Sequence, residues 1–501
     1  MKKNVIEYLI DSERKYPDKI AFEDAKSNLS FSQLLLQVRA VAKAIECEVG
    51  GEIRRPVVVY MEKSVEVLAS FLGIAYSGNF YVPIDVKMPE ARAKMIIDTL
   101  HPCLIIADRE NDGLFEGMKV IYYSDIVNDE KNNMVVSEGY KRLLDIDPLY
   151  VLFTSGSTGK PKGVTITHRG VIDYTEWLAE KFKFTEETVF GNQAPFYFDN
   201  SILDIYSTLK NASKLVIIPE RLFSFPNKLC QFINEREINT IFWVPSALIS
   251  VANSKVLESI PMPRMGKILF CGEVMPNKQL NVWRKYYPNA MYANLYGPTE
   301  ITDVCSYYIV NRNFADDEPL PIGFACENTE IIVLNENNEL VSGDESGELC
   351  VRGCGVSLGY YDNEEKTNLV FVQNPLNSDY RDIIYRTGDI VKYNEYGELI
   401  YLSRKDFQIK HQGHRIELGE IEVAASACDG VDVSCVLYDS VNKQIVLFYS
   451  SNCGVNDKEV YKGLKARIPG YMLPGKIIMI DEFPYNLNGK IDRVLLAKNY
   501  V

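Results

Sequence analysis

Short apolar runs alternate with helix-period stretches over the first two thirds of this chain, and this alternation limits the folds it can adopt. Apolar residues recur across 31–45 at the spacing of an amphipathic helix, and the next run, 57–61, is apolar throughout. A second helical pattern covers 65–76, and further strand-like runs follow at 104–107, 120–123, 150–153, 215–218, 241–244 and 268–270. Strands covered on both faces and separated by helices are typical of parallel sheets, so the sequence predicts an α/β fold.

The pattern changes after about residue 320. Short strands bounded by glycine are predicted at 347–353 and 397–402. From about residue 406 a smaller segment has its own pattern, with a helix at 418–427, strands at 433–437 and 445–449, and a helix at 458–468. We therefore predict an N-terminal domain at 1–404 and a C-terminal domain at 405–501.

Composition excludes several classes of protein. The 501 residues are 47% apolar and 24% charged, which suits packed cores and excludes intrinsic disorder as the main state. The net charge of −14 argues against a nucleic-acid partner. The eleven cysteines are scattered, which favours a reducing, cytoplasmic location over a disulfide framework. No apolar run is long enough to span a bilayer, so we expect no membrane insertion.

The segment 154–160 carries the most chemical information. A predicted strand runs into a loop of glycines, hydroxyls and lysine, namely Thr154, Ser155, Gly156, Ser157, Thr158, Gly159 and Lys160. Glycines let backbone N–H groups converge on phosphate oxygens, and lysine adds charge. Pro161 follows Lys160, where a Walker A loop requires Ser or Thr. The segment therefore predicts a phosphate-binding loop of another kind.

This loop resembles the phosphate loop of the adenylate-forming superfamily, which includes acyl-CoA synthetases, luciferases and the adenylation domains of nonribosomal peptide synthetases. Further motifs match in the family's order at 296–300, 347–349, 385–389, 404–410 and 488–493, so the resemblance covers nearly the whole chain. It implies a large N-terminal domain of α/β subdomains with a small β-barrel-like part, and a small, mobile α+β C-terminal domain. It also implies an AMP-forming ligase that uses ATP and Mg²⁺.

The resemblance also assigns roles to residues of this chain. It implies four catalytic residues, Lys490, Glu300, Thr154 and Lys410. Lys490 would contact the substrate carboxylate and the phosphate, Glu300 would help to hold Mg²⁺, and Lys410 would serve the thioester-forming state. Asp389 would accept hydrogen bonds from the ribose, with Arg404 beside it. The other implied ATP-site residues outside the loop are Gly272, Glu273, Asn294, Leu295, Tyr296, Gly297, Pro298, Thr299 and Tyr401. Asp406 matches the hinge of the family, whereas Ser403 stands where the family usually has glycine.

Asp199 indicates which kind of acid is activated. It follows the aromatic run 196–198, and in amino-acid-activating members an Asp at this place pairs with the α-ammonium. A desolvated carboxylate needs such a cation, although an isolated Asp would equally suit a turn or a helix cap. The implied substrate-binding residues are Asp199, Asn200, Leu203, Phe242, Leu269, Cys271, Leu295, Asp303, Val304 and Lys490. Their large apolar side chains favour a small amino acid.

Asp303 separates this chain from the relatives it resembles in detail. The strings 192–196, 269–277 and 406–410 resemble stand-alone ligases that load D-alanine onto a carrier protein, and Cys271 matches a cysteine beside their substrate. Those ligases have an apolar residue where this chain has Asp303. An acid there is unfavourable unless it is paired or solvated. Asp303 therefore predicts a second hydrogen-bond donor on the substrate, as in serine, threonine or a diamino acid. The alternatives are that Asp303 turns away or that it contacts the α-ammonium together with Asp199.

The predicted function is ATP-dependent activation of a small amino acid and its transfer to the phosphopantetheine thiol of a carrier protein. Because the chain ends eleven residues after Lys490, we expect the carrier to act in trans. We also expect the enzyme to be a monomer. The alternatives are a stand-alone adenylation enzyme of the peptide-synthetase type for serine, threonine or a diamino acid, and an acyl-CoA ligase. A catalytically inactive nucleotide-binding protein is the alternative of another class.

Overall fold

The computed structural model describes residues 2–108, 113–129, 138–156, 160–316, 318–405, 408–484 and 491–500. The chain divides into two compact units. The first unit comprises Met1–Asp85, His101–Leu152 and Gly163–Lys405, and the second comprises Val86–Leu100, Phe153–Lys162 and Asp406–Val501. The expected domain boundary at residue 404 stays a prediction.

The helices and strands are numbered here in chain order. The strands are β1 Ile20–Glu23, β2 Asn28–Ser30, β3 Pro56–Tyr60, β4 Phe80–Pro83, β5 Leu104–Ala107, β6 Val120–Tyr122, β7 Pro148–Thr154, β8 Lys162–Thr167, β9 Val189–Asn192, β10 Lys214–Ile217, β11 Thr240–Trp243, β12 Lys267–Phe270, β13 Met291–Tyr296, β14 Ser306–Ile309, β15 Phe324–Ala325, β16 Thr329–Leu334, β17 Gly347–Gly353, β18 Phe371–Gln373, β19 Ile383–Tyr393, β20 Leu399–Arg404, β21 Gln408–His411, β22 His414–Glu417, β23 Val433–Asp439, β24 Gln444–Ser450 and β25 Lys476–Met479. The α-helices are α1 Ile6–Lys15, α2 Phe31–Val49, α3 Val65–Tyr76, α4 Glu90–Leu100, α5 Tyr123–Asn128, α6 His168–Phe182, α7 Ser201–Asn211, α8 Pro226–Glu235, α9 Pro245–Asn253, α10 Val256–Ser259, α11 Asn277–Tyr286, α12 Glu364–Val370, α13 Leu418–Ser426, α14 Asp457–Lys465 and α15 Arg493–Tyr500.

Two mainly parallel sheets form the body of the first unit. A nine-stranded sheet has the order β15-β14-β13-β12-β11-β9-β10-β1-β2, and a six-stranded sheet has the order β6-β5-β3-β4-β7-β8. The strands from β9 to β13 pair in parallel, as do β3, β4, β5 and β6. All five residues of β3 are buried, as expected for a strand covered on both faces. The predicted α/β fold is confirmed.

Local signals explain how the helices between these sheets begin and pack. At the start of α2, the Ser30 side chain accepts from the Gln33 N–H and the Gln33 side chain accepts from the Ser30 N–H. The helix ends at Gly50, whose φ of +67° favours glycine. Gly73 on α3 permits close packing of the two helices, because a Cβ there would lie 2.5 Å from Val41. This packing places the buried stripe of α2 in the core of the unit.

An antiparallel sheet completes the first unit. Its order is β16-β17-β19-β18, and β20 pairs with the long strand β19. The register places Asp389 directly opposite Arg404. The two glycine-bounded strands predicted from the sequence correspond to β17 and β20, so this β-rich part is also confirmed.

The second unit contains a three-stranded sheet, β23-β24-β25, and the hairpin β21–β22. Alternate residues of β24 pack into two apolar clusters, Leu447 in one and Phe448 in the other, so both faces of the sheet are covered. The predicted helices and strands are present, but α14 ends at Lys465 and not at residue 468. Pro469 explains the earlier end, because the residue before a proline is pushed away from helical geometry. No helix within the described ranges of the chain is long and apolar enough to cross a membrane.

Candidate functional site

Asp389 lies at the centre of a buried polar network in the first unit. Arg404 donates from Nη1 to Asp389 Oδ1 at 2.6 Å, and the Tyr296 hydroxyl donates to Oδ2. The side chains of Asp389 and Arg404 are 3% and 8% exposed, so their ion pair is desolvated. Burial and the charge of Asp389 raise the pKa of Tyr296 well above its ordinary value, which keeps its hydroxyl a donor. Three residues predicted for the ATP site therefore contact one another.

The loop between Thr387 and Asp389 fixes the direction of this carboxylate. Thr387 donates from Oγ1 to the Leu349 carbonyl at 2.7 Å and accepts from the Asp389 N–H at 3.0 Å. Arg404 also donates from Nη2 to the Thr387 carbonyl at 3.1 Å. Gly388 between them has a φ of +75°, which favours glycine. This explains why the string 385–389 contains threonine and glycine before the acid.

Glu300 is a buried carboxylate in the short 3₁₀ helix Thr299–Ile301. The Tyr360 hydroxyl donates to its Oε1 at 2.8 Å, and its carbonyl accepts from the Ser357 N–H at 2.9 Å. No group of three or more His, Cys, Asp or Glu side chains that could hold a metal was found among the residues the structure describes. The Glu300 carboxylate supplies oxygen atoms of the kind that Mg²⁺ prefers as ligands, so its chemistry is compatible with the predicted role.

The other predicted nucleotide residues of this unit cluster at the carboxyl ends of β12 and β13. Asn294 donates from Nδ2 to the Pro321 carbonyl at 2.8 Å, and Glu273 accepts from the Ser246 N–H at 2.9 Å. Gly272 has a φ of +100° at the end of β12. Ligands of open parallel sheets bind at this edge of the strands. The remaining residues continue the chain after Asn294 or lie on β20, namely Leu295, Gly297, Pro298, Thr299 and Tyr401.

The predicted substrate residues lie in one apolar region with two acids. Its apolar members are all buried in the same core cluster, and they are Leu203, Phe242, Leu269, Cys271, Leu295 and Val304. Asp199 is 9% exposed, and its Oδ1 accepts from the Asn200 N–H at 3.0 Å. Phe242 on β11 pairs in register with Leu269 on β12, which puts both side chains at the same level of the sheet. The structure thus buries these apolar residues, which lie far apart in the sequence, in one core cluster of the first unit.

Asp303 is fully buried in the same unit and is held by Tyr174 on α6. The Tyr174 hydroxyl donates to Asp303 Oδ2 at 2.6 Å, and Asp303 is 1% exposed. Burial, followed by the charge of Asp199, raises the pKa of Asp303 well above its ordinary value. Asp303 therefore does not face solvent, and its predicted place in the substrate pocket stays a prediction.

The phosphate loop and Lys410 belong to the second unit. Ser155 donates from Oγ to the Arg415 carbonyl at 3.0 Å, and the Gly156 N–H donates to Glu420 Oε2 at 3.2 Å. Lys410 lies on β21 opposite Arg415. Thr154 ends β7 with a buried side chain, and Lys160 is exposed. The predicted site residues Ser157, Thr158, Gly159, Asp406 and Lys490 lie outside the described residues.

Four side chains of these networks were missed by the sequence-based prediction. Tyr174, Tyr360 and Thr387 position predicted site residues, and Arg92 forms a buried ion pair with Glu420 within the second unit. The helical spacing of Tyr174 indicates only a core position. Only Thr387 could have been found, because it lies inside the matching string 385–389.

Comparison with known proteins assigns the chain to a family. Residues 10–361 match the model of the AMP-binding enzyme family. The chain belongs to the AMP-binding enzyme family. The predicted enzyme class, an AMP-forming ligase, is confirmed by this membership together with the curated relatives.

Those relatives of this AMP-binding enzyme match it over nearly its full length. An L-proline–[L-prolyl-carrier protein] ligase of Pseudomonas fluorescens is 31% identical over 98% of both chains. A D-alanine–D-alanyl carrier protein ligase of Bacillus mycoides is 32% identical over 95% of both.

Solved structures agree on the fold. An NRPS protein containing adenylation and PCP domains, bound to a vinylsulfonamide inhibitor, has a TM-score of 0.86 at 23% identity and covers 99% of this chain and 84% of its own. An o-succinylbenzoate CoA synthetase from Bacillus subtilis also has a TM-score of 0.86, at 18% identity. The match covers 99% of this chain and 98% of the synthetase. The predicted adenylate-forming fold is confirmed.

Proposed function

We propose that this AMP-binding enzyme activates a small amino acid as its aminoacyl adenylate and transfers it to the phosphopantetheine thiol of a separate carrier protein. Asp199 carries the proposal, because it is a carboxylate that is only 9% exposed, and a carboxylate in such surroundings can bind a cationic ligand group such as an α-ammonium. The relatives named as carrier protein ligases for proline and D-alanine support the same reaction.

The proposed chemistry has two steps. The amino acid carboxylate attacks the α-phosphorus of ATP, so that an acyl–phosphate bond forms and pyrophosphate leaves. The carrier thiol, as thiolate, then attacks the acyl carbon, a thioester forms, and AMP leaves with the electron pair of the broken bond. Both steps build negative charge on phosphate oxygens, so the protein contributes mainly position and electrostatics.

The residues of the first unit suit the nucleotide part of these steps. Asp389 accepts from Tyr296 and Arg404, and a carboxylate has about four acceptor sites, so two remain for the ribose hydroxyls. Arg404 is held next to that position and adds positive charge. Glu300 would hold Mg²⁺, which when bound neutralises phosphate charge. In this scheme Lys490 contacts the reacting carboxylate, and Lys410 serves the thioester step.

We expect the enzyme to act as a monomer in the cytoplasm, with its carrier protein supplied in trans. Its amino acid is a small one, because the side chains around Asp199 are mostly large and apolar. Alanine of either configuration, glycine, serine, threonine, proline and small diamino acids all belong to this size class.

The test is amino-acid-dependent exchange of pyrophosphate into ATP, followed by loading of a carrier protein that bears phosphopantetheine. We expect exchange with at least one small amino acid, and a loss of at least about 100-fold in kcat/KM for Asp199→Ala, because the α-ammonium loses its buried partner. The matched control is Asp173→Asn on α6, a half-buried acid that accepts from Asn328 outside the pocket.

Two outcomes would contradict the proposal. Thioester formation with coenzyme A and an acid that has no amino group would identify an acyl-CoA ligase. A protein that binds ATP but exchanges no pyrophosphate with any acid would be an inactive nucleotide-binding protein. Lys490→Ala should abolish exchange, and retained exchange would remove Lys490 from the adenylation step.

A further inference from the structure

We propose that the amino acid substrate carries a hydrogen-bond donor on its side chain, a hydroxyl or an amino group, and that Asp303 Oδ1 receives it. The inference rests on the proposed function, because it names the side chain of the amino acid whose α-ammonium Asp199 would hold. It excludes alanine, glycine and proline as the preferred substrates of this chain.

The unmet hydrogen-bonding capacity of Asp303 is the first observation. Tyr174 occupies Oδ2, whereas Oδ1 is buried and has no hydrogen-bond partner among the residues the structure describes. A buried polar atom left without a partner costs about 1–3 kcal/mol, and such atoms are rare in native proteins. A ligand that donates to Oδ1 would remove this penalty.

The backbone keeps Asp303 in place, and this is the second observation. Thr302 and Asp303 have φ values of +52° and +71°, in a region that residues other than glycine rarely adopt. Gly297 permits the arrangement, because a Cβ there would lie 2.3 Å from the Asp303 carbonyl oxygen. An uncommon backbone that holds an unsatisfied acid in the core is typical of a functional position.

The surroundings of Asp303 connect it to Asp199, and this is the third observation. Electrostatic interactions link Asp303 with Asp199, and the buried Tyr150 hydroxyl interacts with both carboxyls. That hydroxyl also has no hydrogen-bond partner within the described part of the chain. Val304, the next residue, packs in the same apolar cluster as the pocket-lining side chains. A small molecule held by Asp199 therefore has Asp303 within its surroundings.

The two donor classes differ in what they require of this carboxyl. The ionisable groups around Asp303 are acids and phenols, namely Asp199, Asp204, Tyr150 and Tyr174. Burial raises the pKa of Asp303 well above its ordinary value, which favours the neutral carboxyl. A hydroxyl can pair with a neutral carboxyl. An ammonium needs the ionised carboxylate, so kcat/KM for a diamino acid should rise with pH, whereas that for serine or threonine should not.

Exchange assays on the full-length enzyme test the inference. We expect kcat/KM for serine, threonine or 2,4-diaminobutyrate, in one configuration, to exceed that for alanine, glycine and proline by at least about 100-fold, because a site built for a donor rejects analogues that lack it. Asp303→Val should remove this preference, so that the ratio of kcat/KM for the donor-bearing amino acid to kcat/KM for alanine falls at least about 10-fold. Asp303→Asn keeps an acceptor oxygen, so it should retain part of the activity with hydroxyl substrates and lose it with diamino acids.

Control measurements separate the possible failures. Asp173→Asn should leave the substrate ratio unchanged, and circular dichroism with thermal unfolding should show that each variant folds. If Asp303→Val does not fold, the Asp303→Asn variant and the wild-type substrate ratio decide the question. If kcat/KM for exchange is highest with alanine, glycine or proline, the inference is overturned and the proposed function stays intact. An unchanged ratio in Asp303→Asn overturns it as well, whereas absence of exchange with every amino acid overturns the proposed function.

Discussion

The buried pair of Asp389 and Arg404 shows how two residues predicted for the nucleotide site can also stabilise the fold. Two strands, β19 and β20, place the two side chains opposite each other, and Tyr296 reaches them from β13. Each charge is desolvated by the same packing that aligns it, so neither can lose its partner without a penalty.

We predict that Asp389→Asn destabilises the protein by about 3–5 kcal/mol, because the Arg404 guanidinium remains buried without a carboxylate. ATP-dependent exchange should fall in the same variant. Urea unfolding and the exchange assay measure the two effects. The control is Asp145→Asn, which removes a surface pair with Arg169 and should cost at most about 1 kcal/mol. Equal, small losses of stability in both variants would show that burial does not make the Asp389–Arg404 pair more important than a surface pair.

At the level of elements, the start of α6 contains a histidine with an unusual environment. His168 is fully buried, and its Nδ1 accepts from the Val5 N–H at 3.4 Å. Burial lowers its pKa from 6.5 to about 4. The Thr167 side chain caps the helix by accepting from the Gly170 N–H. A charged imidazolium would be unfavourable both for its burial and for its place at a helix N-terminus.

We predict that this histidine makes stability depend on pH between about 6.5 and 4. Its folded pKa is depressed, so the unfolded chain binds more protons there, and up to about 3 kcal/mol of stability is lost as the pH falls. His168→Gln keeps a neutral acceptor and should flatten this part of the profile. Urea unfolding at several pH values measures it. A variant whose profile falls as steeply as that of the wild type would assign the effect to other groups.

A buried ion pair joins α4 and α13 within the second unit. Arg92 and Glu420 are 3% and 2% exposed at their side chains. We predict that Arg92→Met destabilises this unit by about 3–5 kcal/mol, since Glu420 then stays buried without a counter-charge. The double variant Arg92→Met/Glu420→Gln should recover most of the loss, because no charge is left and Gln still accepts from Gly156. A double variant as unstable as the single one, in urea unfolding, would contradict this.

At the scale of the whole molecule, each unit has its own apolar core. The clusters of the first unit contain all three tryptophans of the chain, Trp177, Trp243 and Trp283, whereas the second unit contains none. Leu464 lies fully buried in a cluster of the second unit. Tryptophan emission therefore reports on the first unit alone, while far-UV circular dichroism reports on both.

We predict that Leu464→Ala lowers the stability of the second unit by about 2–5 kcal/mol and leaves the tryptophan-detected transition in place. The circular dichroism transition should then begin at lower urea than the fluorescence transition. Leu178→Ala, in the core of the first unit, is the matched control and should shift the fluorescence transition. Coincident shifts of both signals in Leu464→Ala would show that the two units unfold together.

The sequence predicts best those elements whose structure depends only on residues that are neighbours along the chain. The runs 104–107 and 268–270 correspond to β5 and β12 to within one residue, because a buried strand needs only a short apolar segment. The helix predicted to end at residue 468 ends at Lys465, because the end of a helix depends on how the following Pro469 competes with the helical pattern before it. The resemblance assigns Tyr296, Asp389 and Arg404 to one site, and the structure shows that Asp389 contacts the other two.

The sequence by itself determined the α/β architecture through its apolar periodicity, and the family and the class of reaction through the resemblance of its motifs, because both signals lie in short stretches of the chain. Only the tertiary structure decided that Asp303 is buried beside Tyr174, which lies 129 positions away, and that one of its oxygens has no hydrogen-bond partner among the described residues. The pairing of Arg92 with Glu420 is of the same kind. Such partnerships depend on which side chains the packed elements bring together, and no local pattern encodes them.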